Sequence, residues 1–102
     1  MALTIITKKR FENKVKKVIE YLVLHWYDEV ADEFKRKLIK KMLLLTERHY
    51  IGKRVNKLPG VRTMLITRHN RIYYRVEKDS IIFIDMLDTR MNPQKNPFNK
   101  TK

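Results

Sequence analysis

Residues Arg48 to Asp88 read RHYIGKRVNKLPGVRTMLITRHNRIYYRVEKDSIIFIDMLD, and the half of this stretch after Gly60 decides the fold. There the apolar residues adopt a period of two. Val61 to Arg68 predicts a strand, His69-Asn70 a tight turn, Arg71 to Val76 a second strand, Glu77 to Asp79 another turn and Ser80 to Leu87 a third strand. In the middle strand Ile72, Tyr74 and Val76 point one way and Arg71, Tyr73 and Arg75 the other, so one face is expected to pack and one to be basic. The last strand is apolar on both faces, which suits a central or doubly covered position.

The same stretch concentrates charge. No acidic residue lies between Glu47 and Glu77, while Arg48, Lys53, Arg54, Lys57, Arg62, Arg68, Arg71 and Arg75 all do. A charge run is most often a solvated face, but a merely soluble face intersperses both signs. A span without compensating acids points instead to a polyanion or a macromolecular partner. Lys53, Arg54, Lys57, Arg68, Tyr73 and Arg75 are the candidate binding residues. Tyr73, on the arginine face, fits a stacking or proton-transfer role and fits cross-strand packing equally well. Tyr74 belongs to the core.

Upstream of this stretch the period is helical. Leu3 to Thr7 predicts a short edge strand. Phe11, Val15, Val18, Ile19 and Leu22 then fall on one stripe of a helix ending near His25, with Glu12, Lys16, Lys17 and Glu20 off it. His25, Trp26 and Tyr27 form an aromatic corner, and Asp28 is placed to cap a second helix. In that helix Ala31, Phe34, Leu38, Met42 and Leu45 share a face, acids come first and bases later, matching the macrodipole. Asp32 with Arg36 and Glu33 with Lys37 add i,i+4 pairs in the favourable order. The short link makes the helices an antiparallel hairpin lying on the sheet. Gly52, Asn56, Pro59 and Gly60 punctuate a basic loop between hairpin and sheet. After Asp88 the chain turns polar. The expected organisation is one domain over residues 1–91 and a flexible polar tail over residues 92–102.

Composition narrows the function. With 102 residues, 43% hydrophobic and 34% charged, the chain holds one modest core. Its net charge of +13 fits nucleic acid, an anionic membrane or an acidic protein. Without cysteine there is neither a disulfide framework nor a thiolate metal site, and His25, His49 and His69 have no ligand spacing, so no metal is expected. Gly52 and Gly60 are the only glycines, too few for a glycine-rich phosphate loop, and no cofactor or small-molecule substrate is expected. No apolar run is long enough for a signal or a membrane span, which predicts a soluble cytoplasmic protein with no membrane contact.

The order of strand, helical hairpin, basic loop with Pro59-Gly60 and three-stranded meander resembles the RelE/ParE superfamily of bacterial type II toxins. The resemblance rests on Phe11 to Tyr21, on Ala31 and Phe34, on Leu58 to Arg62, on Arg71 to Val76 and on Ile82 to Arg90, and it runs to Pro93. It implies an α+β fold, a helical hairpin packed on a mainly antiparallel four-stranded sheet, similar to small microbial ribonucleases. It also implies an acidic antitoxin as partner and either DNA gyrase or the ribosome with its messenger RNA as target. RelE-like members cleave messenger RNA on the ribosome. In that branch Arg62, Arg71 and Arg90 would be the catalytic residues gathered around a phosphate. RelE-like enzymes also carry lysines where this chain has Thr63, Met64 and Leu65, and a tyrosine or histidine near the C-terminus. Here no His follows His69 and no Tyr follows Tyr74. Pro59 to Arg62 and Tyr73 to Val76 resemble the ParE-like branch, which poisons gyrase, and that reading is preferred. The nuclease is the alternative, and an inactive toxin or a non-catalytic nucleic-acid-binding domain a second one.

Overall fold

A computed structural model describes residues 2–56 and 58–98. The chain runs β1 (Thr4–Thr7), α1 (Lys9–His25), α2 (Asp28–Glu47), β2 (Lys53–Arg54), β3 (Val61–Thr67), β4 (Asn70–Val76), β5 (Ser80–Asp88) and a short 3-10 turn, Pro93–Lys95. The sheet has the order β1-β5-β4-β3-β2. Every pairing is antiparallel except β1 with β5. The α+β architecture is the expected one, with five strands rather than four. The extra strand, β2, lies in the loop read from Gly52 and Asn56, where nothing alternates. Pairing of Lys53 and Arg54 with Thr63 and Arg62 recruits it.

The helix boundaries follow the apolar stripes. Their caps do not follow the sequence reading: Tyr27 is the N-cap of α2, with extended backbone and no side-chain cap bond, and Asp28 is the first helical residue. An acid there still faces the positive end of the helix. Ahead of β3, Val61 N–H donates to the Leu58 carbonyl, and Gly60 has φ 85. This is a tight turn with Pro59 first and Gly60 in the left-handed position, which a side chain would strain.

Alternation sorts β4 as expected. Ile72 and Tyr74 are fully buried under the helices with Phe11, Phe34, Leu38, Leu45, Ile81, Phe83 and Met86. Each large side chain buried there contributes about 1.5–3 kcal/mol. β5 does not keep a strict period, because Tyr73 pairs with Asp85 and Tyr74 with Phe83, leaving Ile84 as the extra residue of a bulge. Ile81 and Phe83 face the helices before the bulge, and Met86 does so after it. Asp85 is also fully buried, with Arg10 Nε of α1 at 2.9 Å and Lys14 Nζ at 3.2 Å.

The other face is not simply basic. Val61, Tyr73 and Leu87 form a second cluster there, joined by Val55, Leu58, Ile84, Met91 and Phe98. Near the end of the described residues the chain returns to the sheet. Asn96 and Phe98 fold back onto Tyr73, Asn96 Nδ2 donating to its hydroxyl at 3.2 Å and Phe98 stacking on its ring. Apolar area on Tyr73 and Leu87 makes that return favourable, and the polar composition of residues 92–97 conceals it.

Candidate functional site

The sheet's helix-free face is assembled in rows. Lys53 stands opposite Thr63 and Thr63 opposite Tyr73 across neighbouring strands, while Asp85, in register with Tyr73, turns its side chain to α1. Arg71, two residues before Tyr73 on β4, occupies the next row on the same side. Its Nη1 reaches Thr63 Oγ1 at 3.3 Å, and Thr63 Oγ1 donates to the Ile72 carbonyl at 2.8 Å. A cleft of 570 Å³ opens above these rows, walled by Lys53, Arg54, Arg71 and Tyr73 on the sheet side and by Asn96 and Phe98 on the other.

The sequence candidates divide between this cleft and elsewhere. Lys53, Arg54, Arg71 and Tyr73 line it. Arg62 does not: it opposes Tyr74, its Nη1 donates to the carbonyls of Tyr50 at 3.0 Å and Gly52 at 2.8 Å, and its guanidinium lies 5.1 Å over the Tyr50 ring. It is a strut for the loop before β2. Arg75 pairs with Glu77 at 2.7 Å, and Arg68 sits exposed in the β3–β4 turn with its Nε toward His69 Nε2 at 3.4 Å. Arg90 grips Asp88 with Nε at 2.9 Å and Nη2 at 2.7 Å. That bond holds the Asp88 carboxyl below its usual range and raises the guanidinium. Lys57 lies outside the described residues. Of Arg62, Arg71 and Arg90, Arg71 lines the cleft, Arg90 grips Asp88 at its rim, and Arg62 is held away from it by loop carbonyls. Tyr73 keeps the face assigned by alternation but is buried, its hydroxyl held by Asn96.

Sequence reasoning missed Thr63, Asn96 and Phe98 as parts of this face, and the pairing of Asp85 with Arg10 and Lys14. One signal was available for Phe98, the only aromatic residue after Phe83 in an otherwise polar segment. Nothing local marks the others, which are joined by pairing across strands and elements.

Beneath β2 sits a polar knot. Tyr74 Oη accepts from Gly52 N–H at 3.0 Å and donates to the His49 carbonyl at 2.9 Å. Burial pushes the phenol pKa above 10.0, against the lowering effects of the Gly52 bond and of Arg62. A raised folded pKa makes the neutral phenol part of the native state. Its contribution is complete below the unfolded pKa near 10.0 and is lost as pH rises through the higher folded value. Denaturation midpoints followed from pH 8 upward are expected to fall more steeply above pH 10 in the native chain than in Tyr74→Phe. Parallel curves would show that the hydroxyl titrates as in the unfolded chain. Below pH 9 the same substitution costs about 1–3 kcal/mol, because it leaves a buried N–H without its acceptor.

Among the described residues no group of His, Asp and Glu could hold a metal ion, and no helix is long and apolar enough to cross a membrane. Fold and face define a small α+β domain with a cleft lined in part by basic side chains on its helix-free sheet face. The chain belongs to the ParE toxin family of type II toxin–antitoxin systems, parDE, whose family model matches residues 5–93. It is therefore the toxin component of such a system, with an antitoxin as its partner. Among solved structures it is similar to a chain of the chromosomal ParDE system from P. aeruginosa, with a TM-score of 0.72 and 16% identity over 85% of this chain and 96% of that one. It is also similar to the conserved hypothetical protein HP0894 from Helicobacter pylori, with a TM-score of 0.54 and 23% identity over 85% and 94% of the two chains. These two likenesses concern the fold. No curated protein matches the sequence.

Proposed function

We propose that this toxin arrests growth by ParE-like inhibition of DNA gyrase, and that an acidic antitoxin segment silences it by lying across the basic sheet. The observation that carries the reading is the family match over residues 5–93. The placement of Arg62 outside the cleft, with its guanidinium on loop carbonyls, supports gyrase over the nuclease alternative, because phosphoryl transfer to a 2′-hydroxyl needs its cations converged on one phosphate. Charge supports the antitoxin surface: at +13 the chain attracts acidic segments over long range, with a binding rate that falls steeply as salt rises.

Induction of the chain alone in a bacterial host tests the target. Incorporation of labelled thymidine and of labelled amino acid, measured in one culture, is expected to fall in that order, and purified chain is expected to inhibit gyrase supercoiling. Collapse of protein synthesis within minutes while thymidine incorporation persists would overturn the gyrase reading in favour of the nuclease. Unimpaired growth would leave an inactive toxin.

A further inference from the structure

The 570 Å³ cleft has two properties that point to a ligand. Its first property is free positive charge. Arg71 has a neutral hydroxyl, Thr63 Oγ1, as its hydrogen-bond partner, and Lys53 and Arg54 form no ion pair among the described residues. The carboxylate at the rim, Asp88, is already taken by Arg90.

The second property is how the cleft is covered. Phe98 lies flat on Tyr73, with ring centroids 3.9 Å apart and planes 7° from parallel. Parallel rings with centroids 3.9 Å apart are offset sideways, a favourable stack that marks the Tyr73 face as a platform for a planar ring. A nucleobase, with its in-plane dipoles, stacks well in that position. The segment carrying Phe98 is lightly held. Its turns are bonded within residues 92–98, and among the described residues the one hydrogen bond from them to the sheet is Asn96 Nδ2 to Tyr73 Oη.

We propose that this cleft is a nucleotide-binding site in which Phe98 holds the place of the base. The base replaces Phe98 on Tyr73, and the phosphate meets Arg71, Lys53 and Arg54. The ligand chemistry, an aromatic base joined to a phosphate, is shared by free nucleotides and by single-stranded nucleic acid. This site is independent of the gyrase reading and stands or falls separately.

Calorimetric titration of the full chain with AMP, adenosine, ribose 5-phosphate and a ten-nucleotide single strand tests it. AMP or the strand is expected to bind at least tenfold more tightly than adenosine or ribose 5-phosphate, because only they supply both parts. Tighter binding of AMP would identify a free nucleotide as the ligand, and tighter binding of the strand a nucleotide within a chain. Arg71→Ala is expected to weaken binding about tenfold with an unchanged melting temperature. Phe98→Ala is expected to strengthen it about fivefold by removing the competitor. Absence of binding at millimolar concentration, equal binding of ribose 5-phosphate and AMP, insensitivity to Arg71→Ala, or weaker binding by Phe98→Ala would each overturn the proposal.

Discussion

Replacing both Arg10 and Lys14 by alanine is expected to lower the unfolding free energy by about 3–5 kcal/mol. The reason is Asp85. Its side chain is fully buried beneath α1, with Arg10 Nε 2.9 Å from Oδ2 and Lys14 Nζ 3.2 Å from Oδ1. The Met86 N–H also donates to Oδ1. Removing both cations leaves an anion in an apolar surrounding with one backbone donor, and several kilocalories of desolvation are then uncompensated. Either single replacement should cost distinctly less, because the remaining cation still faces the carboxylate. Adding Asp85→Asn to the double variant should restore part of the loss, since a neutral amide needs no counter-charge. Urea denaturation followed by circular dichroism, with unchanged slope, measures all four. A loss under about 1 kcal/mol in the double variant would show that water reaches Asp85 and that its burial is only geometric. Against a typical domain stability of about 5–15 kcal/mol, the expected loss threatens folding itself.

Gly52→Ala is the second large effect, about 2–4 kcal/mol, combining overpacking with a lost buried hydrogen bond. No left-handed backbone is involved. A Cβ at this position would press on the Tyr74 hydroxyl and lie 2.8 Å from its Cε1 and 2.9 Å from its Cζ. The ring cannot retreat, being fully buried against Phe83 with centroids 6.1 Å apart. The chain at Gly52 must therefore move, taking with it the adjoining Lys53 and Arg54 and the bond from its own N–H to Tyr74 Oη. Tyr74→Phe in the same molecule removes the closest contact, so the pair should be less costly than the sum of its members. A double-mutant cycle on urea midpoints reads this coupling. Strict additivity would mean that β2, rather than Tyr74, yields to the added methyl. The functional consequence follows from position: β2 is two residues long, and both line the basic cleft.

How much of this was legible beforehand depended on the range of the interaction. Ile72, Tyr74 and Val76 could be assigned to the packed face of β4 because alternation is a local property of extended chain. The stripes of Phe11, Val15 and Ile19 and of Phe34 and Leu38 marked both helices for the same reason. By contrast β2 has no local signal, and becomes a strand because Thr63 and Arg62 offer it partners. The bulge at Ile84 is equally non-local. It turns Asp85 toward Arg10 and Lys14, a pairing that no spacing in the sequence expresses. The basic candidates were recognisable as a set from the absence of acids between Glu47 and Glu77. Their division was not, since whether an arginine is free depends on what folds next to it. Glu77 and Asp88 occupy Arg75 and Arg90, and loop carbonyls occupy Arg62, while Arg71 keeps its charge open to the cleft.

By itself the sequence determined the α+β class, the helical hairpin, the three-strand meander and the cationic character of the region between them. Each of these follows from periodicity or summed charge, which nearest neighbours along the chain already carry. Only the tertiary structure decided the fifth strand, the buried Asp85 with its two cations, and the return of Phe98 onto Tyr73. These depend on which surfaces remain apolar or uncompensated once the sheet has formed, and that is a property of packing between segments distant in the chain.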